Sequence, residues 1–163
     1  MQLHHGHIAR TLGLAAIALA IGGTPSANAQ PPTAETITQS WTAGPAPTAP
    51  PYRGFGSGTF TATGAVADAG TVNIQGQETA VPSPNHGNLL IDETLTSQDG
   101  TLEVRCVPNT ATIIDPTAVP STGHCAIISG TGVYGQLHGQ GTITSLANLI
   151  TVTETDTIVL NVA

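Results

Sequence analysis

Few residues in this chain of 163 have the types that acid-base chemistry requires. Glu103 and Arg105 are the only two oppositely charged residues within one predicted strand, and His124 lies in the strand expected to pair with it. A buried carboxylate near an imidazole can move protons, which is the chemistry of a cavity isomerase or cyclase. The same Glu103 and Arg105 also fit a solvated outer face with a weak ion pair, and we favour that interpretation.

Other catalytic signatures are missing from the sequence. It contains no nucleophile elbow, no Ser/His/Asp pattern and no cluster of metal ligands. His4, His5 and His7 form a histidine tract, but they lie in a leader that we expect to be removed. We therefore expect no catalytic residue of these kinds, no metal and no cofactor.

The charge balance narrows the range of partners. The sequence has no lysine, its cations are Arg10, Arg53 and Arg105, and its formal net charge is −7. A negative chain repels phosphate backbones and anionic lipid surfaces. We expect no nucleic-acid partner.

The N-terminus has the three parts of a secretory signal peptide. Residues 1–10 carry Arg10, residues 11–23 are almost wholly apolar, and Ala27-Asn28-Ala29 is a small-x-small cleavage site. The apolar run is shorter than the roughly 20 residues that a spanning helix needs. The sequence predicts cleavage after Ala29, secretion to the extracellular space and no membrane insertion after processing.

The remaining chain has the pattern of an all-β protein. Charged residues make up 8% and aromatic residues 3%, while Thr, Gly and Pro are abundant. Residues that alternate with a period of two predict about eight short strands and no helix, as in a sandwich or closed antiparallel barrel. The strands are predicted at 35–42, 58–63, 70–74, 88–97, 101–107, 124–129, 140–146 and 157–162.

Turn signals and composition divide the chain further. Asp68-Ala69-Gly70 and Gln98-Asp99-Gly100 predict hairpin turns, and residues 108–123 predict a long loop. We assign residues 1–29 to the signal peptide, 30–54 to an N-terminal strand with a Pro-rich segment, and 55–163 to a single β-barrel domain.

The two cysteines predict a disulfide bond, because an exported protein folds in an oxidising compartment. Cys106 ends one predicted strand and Cys125 begins another. The apolar pattern predicts an antiparallel ladder with Cys106 opposite Cys125, Arg105 opposite Ala126 and Val104 opposite Ile127. A redox or metal-binding pair is the alternative, but the spacing lacks the Cys-x-x-Cys geometry and the extra ligands of such sites.

The Gly-rich segment at residues 129–142 reads Ser-Gly-Thr-Gly-Val-Tyr-Gly-Gln-Leu-His-Gly-Gln-Gly-Thr. Its glycines fit a mechanical role, in which Gly130 and Gly132 adopt special backbone conformations and Gly139 and Gly141 allow a strand to bend. Tyr134 fits as a plug at one end of a barrel. A phosphate-binding loop is the alternative, but no lysine or helix N-terminus follows.

This segment resembles the Gly-Thr-Gly-x-Tyr/Phe-x-x-Leu/Ala-x-Gly-x-Gly stretch of the allene oxide cyclase and dirigent barrel superfamily, particularly its small secreted bacterial members. Residues 58–72 are similar to the opening hairpin of those proteins. The resemblance covers approximately residues 55–163 and implies a calycin-like antiparallel barrel of eight strands. The acidic residues that plant members use cannot be placed here, so it carries over no catalytic position.

Two classes of function remain. The first is a non-catalytic exported barrel that binds a small apolar ligand or serves as a structural or envelope module. The second is a cavity isomerase or cyclase, or a dirigent-like protein, that acts on a hydrophobic small molecule, with Glu103, Arg105 and His124 as candidate cavity residues. We favour the first class. The sequence leaves the ligand and the oligomeric state open.

Overall fold

The computed structural model describes residues 33–44, 53–78, 89–110 and 113–163. Within these ranges the chain forms eight strands and one short 3₁₀ helix. The strands are β1 (Thr33–Ala43), β2 (Arg53–Thr63), β3 (Asp68–Glu78), β4 (Leu89–Thr96), β5 (Thr101–Thr110), β6 (Val119–Gly130), β7 (Gly139–Asn148) and β8 (Thr153–Val162), and the 3₁₀ helix is Gly132–Tyr134. The predicted signal peptide and most of the predicted Pro-rich segment lie outside the described residues.

The strands form one closed antiparallel barrel. Each strand pairs with the next along the chain, and β8 pairs with β1. The β1–β8 ladder runs from Thr33 opposite Val162 to Thr42 opposite Thr153. The prediction of an all-β, antiparallel barrel of eight strands is confirmed at this level.

The core consists of the side chains that alternate toward the barrel axis. Branched and aromatic residues favour such pleated, half-buried positions. Every strand contributes to the core, through Ile37, Phe60, Val72, Ile91, Val104, Cys125, Ile143 and Ile158.

The predicted disulfide and its register are also confirmed. Cys106 and Cys125 are bonded and lie directly opposite each other, with a Cα–Cα distance of 4.1 Å. Arg105 lies opposite Ala126 and Val104 opposite Ile127, as expected. A β-bulge between Glu103 and Val104 then shifts the ladder. On the chain-entropy model, a cross-link over 19 residues stabilises the domain by about 3 kcal/mol.

Two connections differ from the sequence prediction. The β2–β3 turn occupies residues 64–67, whereas Asp68-Ala69-Gly70 belongs to β3, because Gly64 supplies the positive φ of 128° that this turn uses. The long loop is shorter than residues 108–123, since β5 extends to Thr110 and β6 begins at Val119. Pro108 continues the ladder opposite Gly123, and the absence of a side chain there lets the two backbones approach closely.

The first strand is an integral part of the barrel. β1 pairs with both β2 and β8, so the barrel takes in residues from Thr33 onward. The predicted boundary at residue 55 falls inside β2 (Arg53–Thr63). Among the described residues, no helix is long and apolar enough to cross a membrane.

The Gly-rich connection between β6 and β7 covers one end of the barrel. The side chain of Tyr134 is buried there, with 1% of its surface exposed. Gly132 has φ 58°, and a Cβ atom at that position would collide with the backbone oxygen of Asp99. Gly130, Gly139 and Gly141 also lie where a side chain would meet neighbouring backbone. Gly132 therefore has the special backbone conformation expected from the sequence. The same prediction for Gly130 is wrong, because its φ is not positive, and close backbone packing accounts for Gly130, Gly139 and Gly141.

We expect Gly132→Ala to lower the free energy of unfolding by about 2 kcal/mol or more, because positive φ and a backbone collision both oppose the new methyl group. Gly54→Ala is the matched control, since a Cβ atom there would meet nothing within 4 Å. Chemical denaturation of both variants checks this. Equal stabilities of the two variants would contradict the assigned role of Gly132.

Candidate functional site

A group of polar side chains lies inside the barrel among the apolar core residues. We call it the polar layer, and it consists of Gln39 and Trp41 from β1, Glu93 from β4, Ser145 from β7, and Glu154 and Asp156 from β8. Gln39, Glu93, Ser145 and Asp156 are each at most 3% exposed. Burying polar groups in a core costs free energy unless they are paired. This layer is therefore the feature of the interior that packing alone does not explain.

Strand register brings the polar layer together. Asp156 lies opposite Gln39 in the β1–β8 ladder and opposite Ser145 in the β7–β8 ladder. Three neighbouring strands thus hold three inward polar side chains side by side. Glu93 belongs to β4, on a part of the barrel wall that does not pair with these strands, and it meets them in the interior.

One amide nitrogen connects the two sides of the layer. Gln39 Nε2 donates hydrogen bonds to Glu93 Oε2 and to Asp156 Oδ2, both at 2.9 Å. Trp41 Nε1 donates a further hydrogen bond of 2.7 Å to Asp156 Oδ2. The amide N–H groups of Gln39 and the indole N–H of Trp41 therefore all donate hydrogen bonds to carboxylate oxygens.

Several buried oxygen atoms of the same side chains have no partner among the described residues. They are Gln39 Oε1, Glu93 Oε1, Ser145 Oγ and Asp156 Oδ1. An unsatisfied buried polar atom typically costs about 1–3 kcal/mol. Four such atoms lie in this layer, two of them on Ser145 and Asp156 beside the Glu154 carboxyl group, and a fifth, Glu35 Oε1, lies at the opposite end of the barrel.

The two glutamates of the layer have altered acidities. Burial raises the pKa of Glu93 to about 8, helped by the nearby charge of Asp156 and opposed by the hydrogen bond from Gln39. Burial and the adjacent Asp156 also raise the pKa of Glu154. A carboxyl group with a pKa near neutrality can hold a proton or release it under ordinary conditions.

The polar layer lies toward the end of the barrel that carries the β7–β8 turn. Trp41 and Glu154 are partly exposed there, so the layer reaches the surface on this side. Ala43 N bonds Val152 O of the turn at 2.9 Å, and Leu149 N bonds Pro116 O of the β5–β6 connection at 2.8 Å. Apolar side chains are exposed on these connections: Ile113, Ile114, Leu149, Ile150 and Val152.

The opposite end of the barrel is closed by Tyr134. Its hydroxyl group donates a 2.7 Å hydrogen bond to Asp68 Oδ2. Hydrogen bonds from Ser97 and Tyr134 lower the pKa of Asp68. Glu35 is buried nearby and accepts a hydrogen bond from Val66 N, and burial raises its pKa. These contacts fix a turn and a plug, which is a structural role.

The three cavity residues suggested by the sequence all lie on the outside of the barrel. Glu103, Arg105 and His124 are exposed. Arg105 pairs with Asp92 through two hydrogen bonds of 2.6 and 3.1 Å, and Glu103 accepts one from Ser129 Oγ at 2.7 Å. The structure thus places none of the three in the polar layer. The ion pair also joins Arg105 to Asp92 and not to Glu103.

Sequence analysis missed the polar layer, although its signal was present. Glu93 lies two residues from both Ile91 and Leu95, and Asp156 lies two residues before Ile158. In a strand, residues at this spacing share a face, so both carboxyl groups point inward with their apolar neighbours. The last strand was predicted to begin at residue 157, which left both Asp156 and Glu154 outside it.

No family model matches the chain, and no curated protein or solved structure matches it. Within the part of the chain that the structure describes, no group of three or more His, Cys, Asp or Glu side chains is arranged to hold a metal ion.

We expect Tyr134→Phe to lower the free energy of unfolding by about 1 kcal/mol, because it removes one hydrogen bond to Asp68 and keeps the packed ring. Tyr134→Ala, which also removes the ring, should cost about 3–5 kcal/mol. Urea unfolding of both variants measures the difference. A Phe variant as unstable as the Ala variant would show that the plug depends on the hydroxyl group.

The stability of the domain should depend on the ionisation of Glu93. Its pKa is about 8 in the folded chain against an ordinary value of 4.5, so the folded state binds more protons between these limits. The free energy of unfolding should therefore fall as the pH rises from about 5 to about 8, by up to about 1.4 kcal/mol per pH unit for one such group.

Glu93→Gln, which is neutral at every pH, should reduce this slope, and Thr38→Ala on the outer face of β1 should leave it unchanged. Urea titrations across the pH range measure both slopes. An unaltered slope in Glu93→Gln would show that Glu93 ionises normally.

Proposed function

We propose that this protein is an exported, non-catalytic β-barrel that binds a small ligand at the polar layer. The observation that carries the proposal is the set of four unpaired, buried oxygen atoms on Gln39, Glu93, Ser145 and Asp156. A ligand that donated hydrogen bonds to these atoms would remove a cost that the described chain does not otherwise offset.

A purely structural barrel offers no reason for such a layer. A barrel of eight strands has an interior that side chains can fill, and it can also hold one small ligand. In this chain, apolar side chains and Tyr134 fill the interior toward the closed end. Apolar residues at the positions of Glu93 and Asp156 would extend that packing without unpaired polar atoms. The retained polar layer favours ligand binding over a structural module.

The surroundings suggest the form of the ligand. A polar head would meet the layer, while the ring of Trp41 and the exposed aliphatic side chains at the same end would contact an apolar body. The sequence predicted a small apolar ligand, and we propose that the ligand carries a polar head in addition to its apolar body.

We also propose that the protein is exported and that it belongs to a known superfamily of barrels. The Cys106–Cys125 disulfide is typical of proteins that fold in an oxidising compartment, in agreement with the signal-peptide pattern. The closed antiparallel barrel is compatible with the resemblance of the Gly-rich segment to the allene oxide cyclase and dirigent superfamily. We infer a secreted member of that group.

A second candidate function is a cavity isomerase or cyclase. The observation that favours it is the pKa of about 8 at Glu93, close to the carboxyl group of Asp156 through their shared Gln39. A carboxyl group that holds a proton at neutral pH can act as a general acid on a bound molecule. Glu93, and not Glu103, would be the catalytic carboxyl group in this alternative.

Trp41 makes the proposal testable by fluorescence, because it is the only tryptophan of the chain and belongs to the layer. We expect compounds from a library of small polar-headed molecules to change its emission and to raise the melting temperature of the purified protein. Gln39→Leu should weaken binding at least about tenfold by removing the central amide, whereas Thr38→Ala should not.

Three results would decide the matter differently. A library that changes neither emission nor melting temperature would favour a structural module. Compounds that bind Gln39→Leu as tightly as the unaltered protein would place the site elsewhere. Chemical conversion of a bound compound, abolished by Glu93→Gln, would move the protein into the enzyme class.

A further inference from the structure

The polar layer has used its strongest donors and retains acceptors. The Nε2 atom of Gln39 bonds two carboxylates, and the indole N–H of Trp41 bonds one of them. Of the unpaired atoms, Gln39 Oε1 can only accept a hydrogen bond, and an ionised Glu93 or Asp156 is also acceptor-only. Gln39 Oε1 therefore needs a hydrogen-bond donor, and Glu93 becomes a second acceptor once it has released its proton.

We infer that the head of the ligand is a small organic cation, a primary ammonium group, whose three N–H donors bind the unpaired oxygens of Gln39, Glu93 and Asp156 beside Ser145. This inference rests on the proposed ligand-binding function and specifies the chemical class of the ligand. An ammonium group carries three N–H donors and no acceptor, which is the complement of an acceptor-rich site.

The charge of the interior supports a cation. Three carboxyl groups, Glu93, Glu154 and Asp156, belong to the layer. The two guanidinium groups of the described residues, Arg53 and Arg105, are both exposed, and Arg105 already pairs with Asp92 outside the barrel. A buried carboxylate is stable only when it is paired or protonated. An organic ammonium ion supplies the positive charge that these described side chains lack.

The unpaired oxygens of the layer are carried by separate strands. Gln39, Ser145 and Asp156 approach from three consecutive neighbours, β1, β7 and β8, and Glu93 approaches from β4. A planar guanidinium group prefers paired, parallel acceptors on one carboxylate, whereas an ammonium group can address separate oxygens.

Binding of the cation should release protons. Gln39 from β1 bonds Glu93, and the carboxyl groups of Asp156 and Glu154 from β8 interact with it. Its partners in the adjoining ladders are the apolar Ile74 and Val104. A cation favours the ionised form of a carboxyl group and thus lowers its pKa. Below about pH 8 the ligand must displace a proton, so its affinity should fall as the pH falls.

The test uses three probes of similar size and different charge: n-butylammonium, 1-butanol and butyrate. Each is titrated into the purified protein, and the emission of Trp41 is recorded at about pH 6, 7 and 8. We expect n-butylammonium to bind at least about tenfold more tightly than the other two at about pH 8. Its affinity should fall by up to about tenfold per pH unit for each proton released.

Calorimetry in buffers of different ionisation enthalpy measures the released protons directly. Glu93→Gln should lose most of the proton release and the pH dependence of binding, and Thr61→Ala, on the outer face of β2, should retain both. Circular dichroism and melting curves establish that each variant is folded. Asp156→Asn serves as a second site variant, with the same expected loss of preference for the ammonium probe.

The outcomes separate this inference from the function on which it rests. Binding of 1-butanol or butyrate as tight as that of n-butylammonium would overturn the cation and leave ligand binding in place. Binding of none of the probes, together with no effect from the wider library, would overturn both. Tight ammonium binding with no proton release would also contradict the inference, because it would place the cation away from Glu93.

Discussion

The pairing of β1 with β8 is the constraint on which the rest of the molecule depends. It joins residues 33–42 to residues 153–162 and turns a meander of consecutive hairpins into a closed barrel. Closure removes the unpaired edges that an open sheet would expose. It also encloses an interior, and this is why inward positions on β1 and β8 face residues from the far side. Without this ladder, Gln39 and Asp156 would not be register partners, and the polar layer would not exist.

The energetic cost of the polar layer explains why one end of the barrel differs from the other. Near the closed end, one oxygen of Glu35 receives a backbone N–H from Val66 and the other is the single unpaired buried oxygen described there, while Tyr134 bonds Asp68. In the polar layer, Glu93 and Asp156 share one amide donor, and both retain an unpaired oxygen. Domains of this size are stable by only about 5–15 kcal/mol, so several unpaired buried atoms are a substantial burden. Proteins keep such unfavourable buried groups chiefly at sites where function requires them.

Sequence analysis predicted much of the fold because the fold follows from local rules. Period-two alternation located the strands, the predicted export to an oxidising compartment implied the disulfide, and the apolar pattern around Cys106 and Cys125 indicated the β5–β6 register. The turn before β3 was misplaced because Asp68-Ala69-Gly70 and Gly64 both carry turn-forming residues, and local propensity does not choose between them.

The candidate site was less accessible to sequence analysis, because it arises from contacts between distant strands. Glu93 and Gln39 are 54 residues apart, and Gln39 and Asp156 are 117 apart. Glu103 and Arg105 drew attention because they lie two residues apart on one face of a strand, yet the alternation that makes Val104 inward makes both of them outward. Charges that are needed for solubility stay on the outer surface, where water screens them, while the few carboxyl groups inside experience a low dielectric and each other. The acidity of Glu93 is therefore set by barrel closure, and any molecule that enters the layer must act on that acidity.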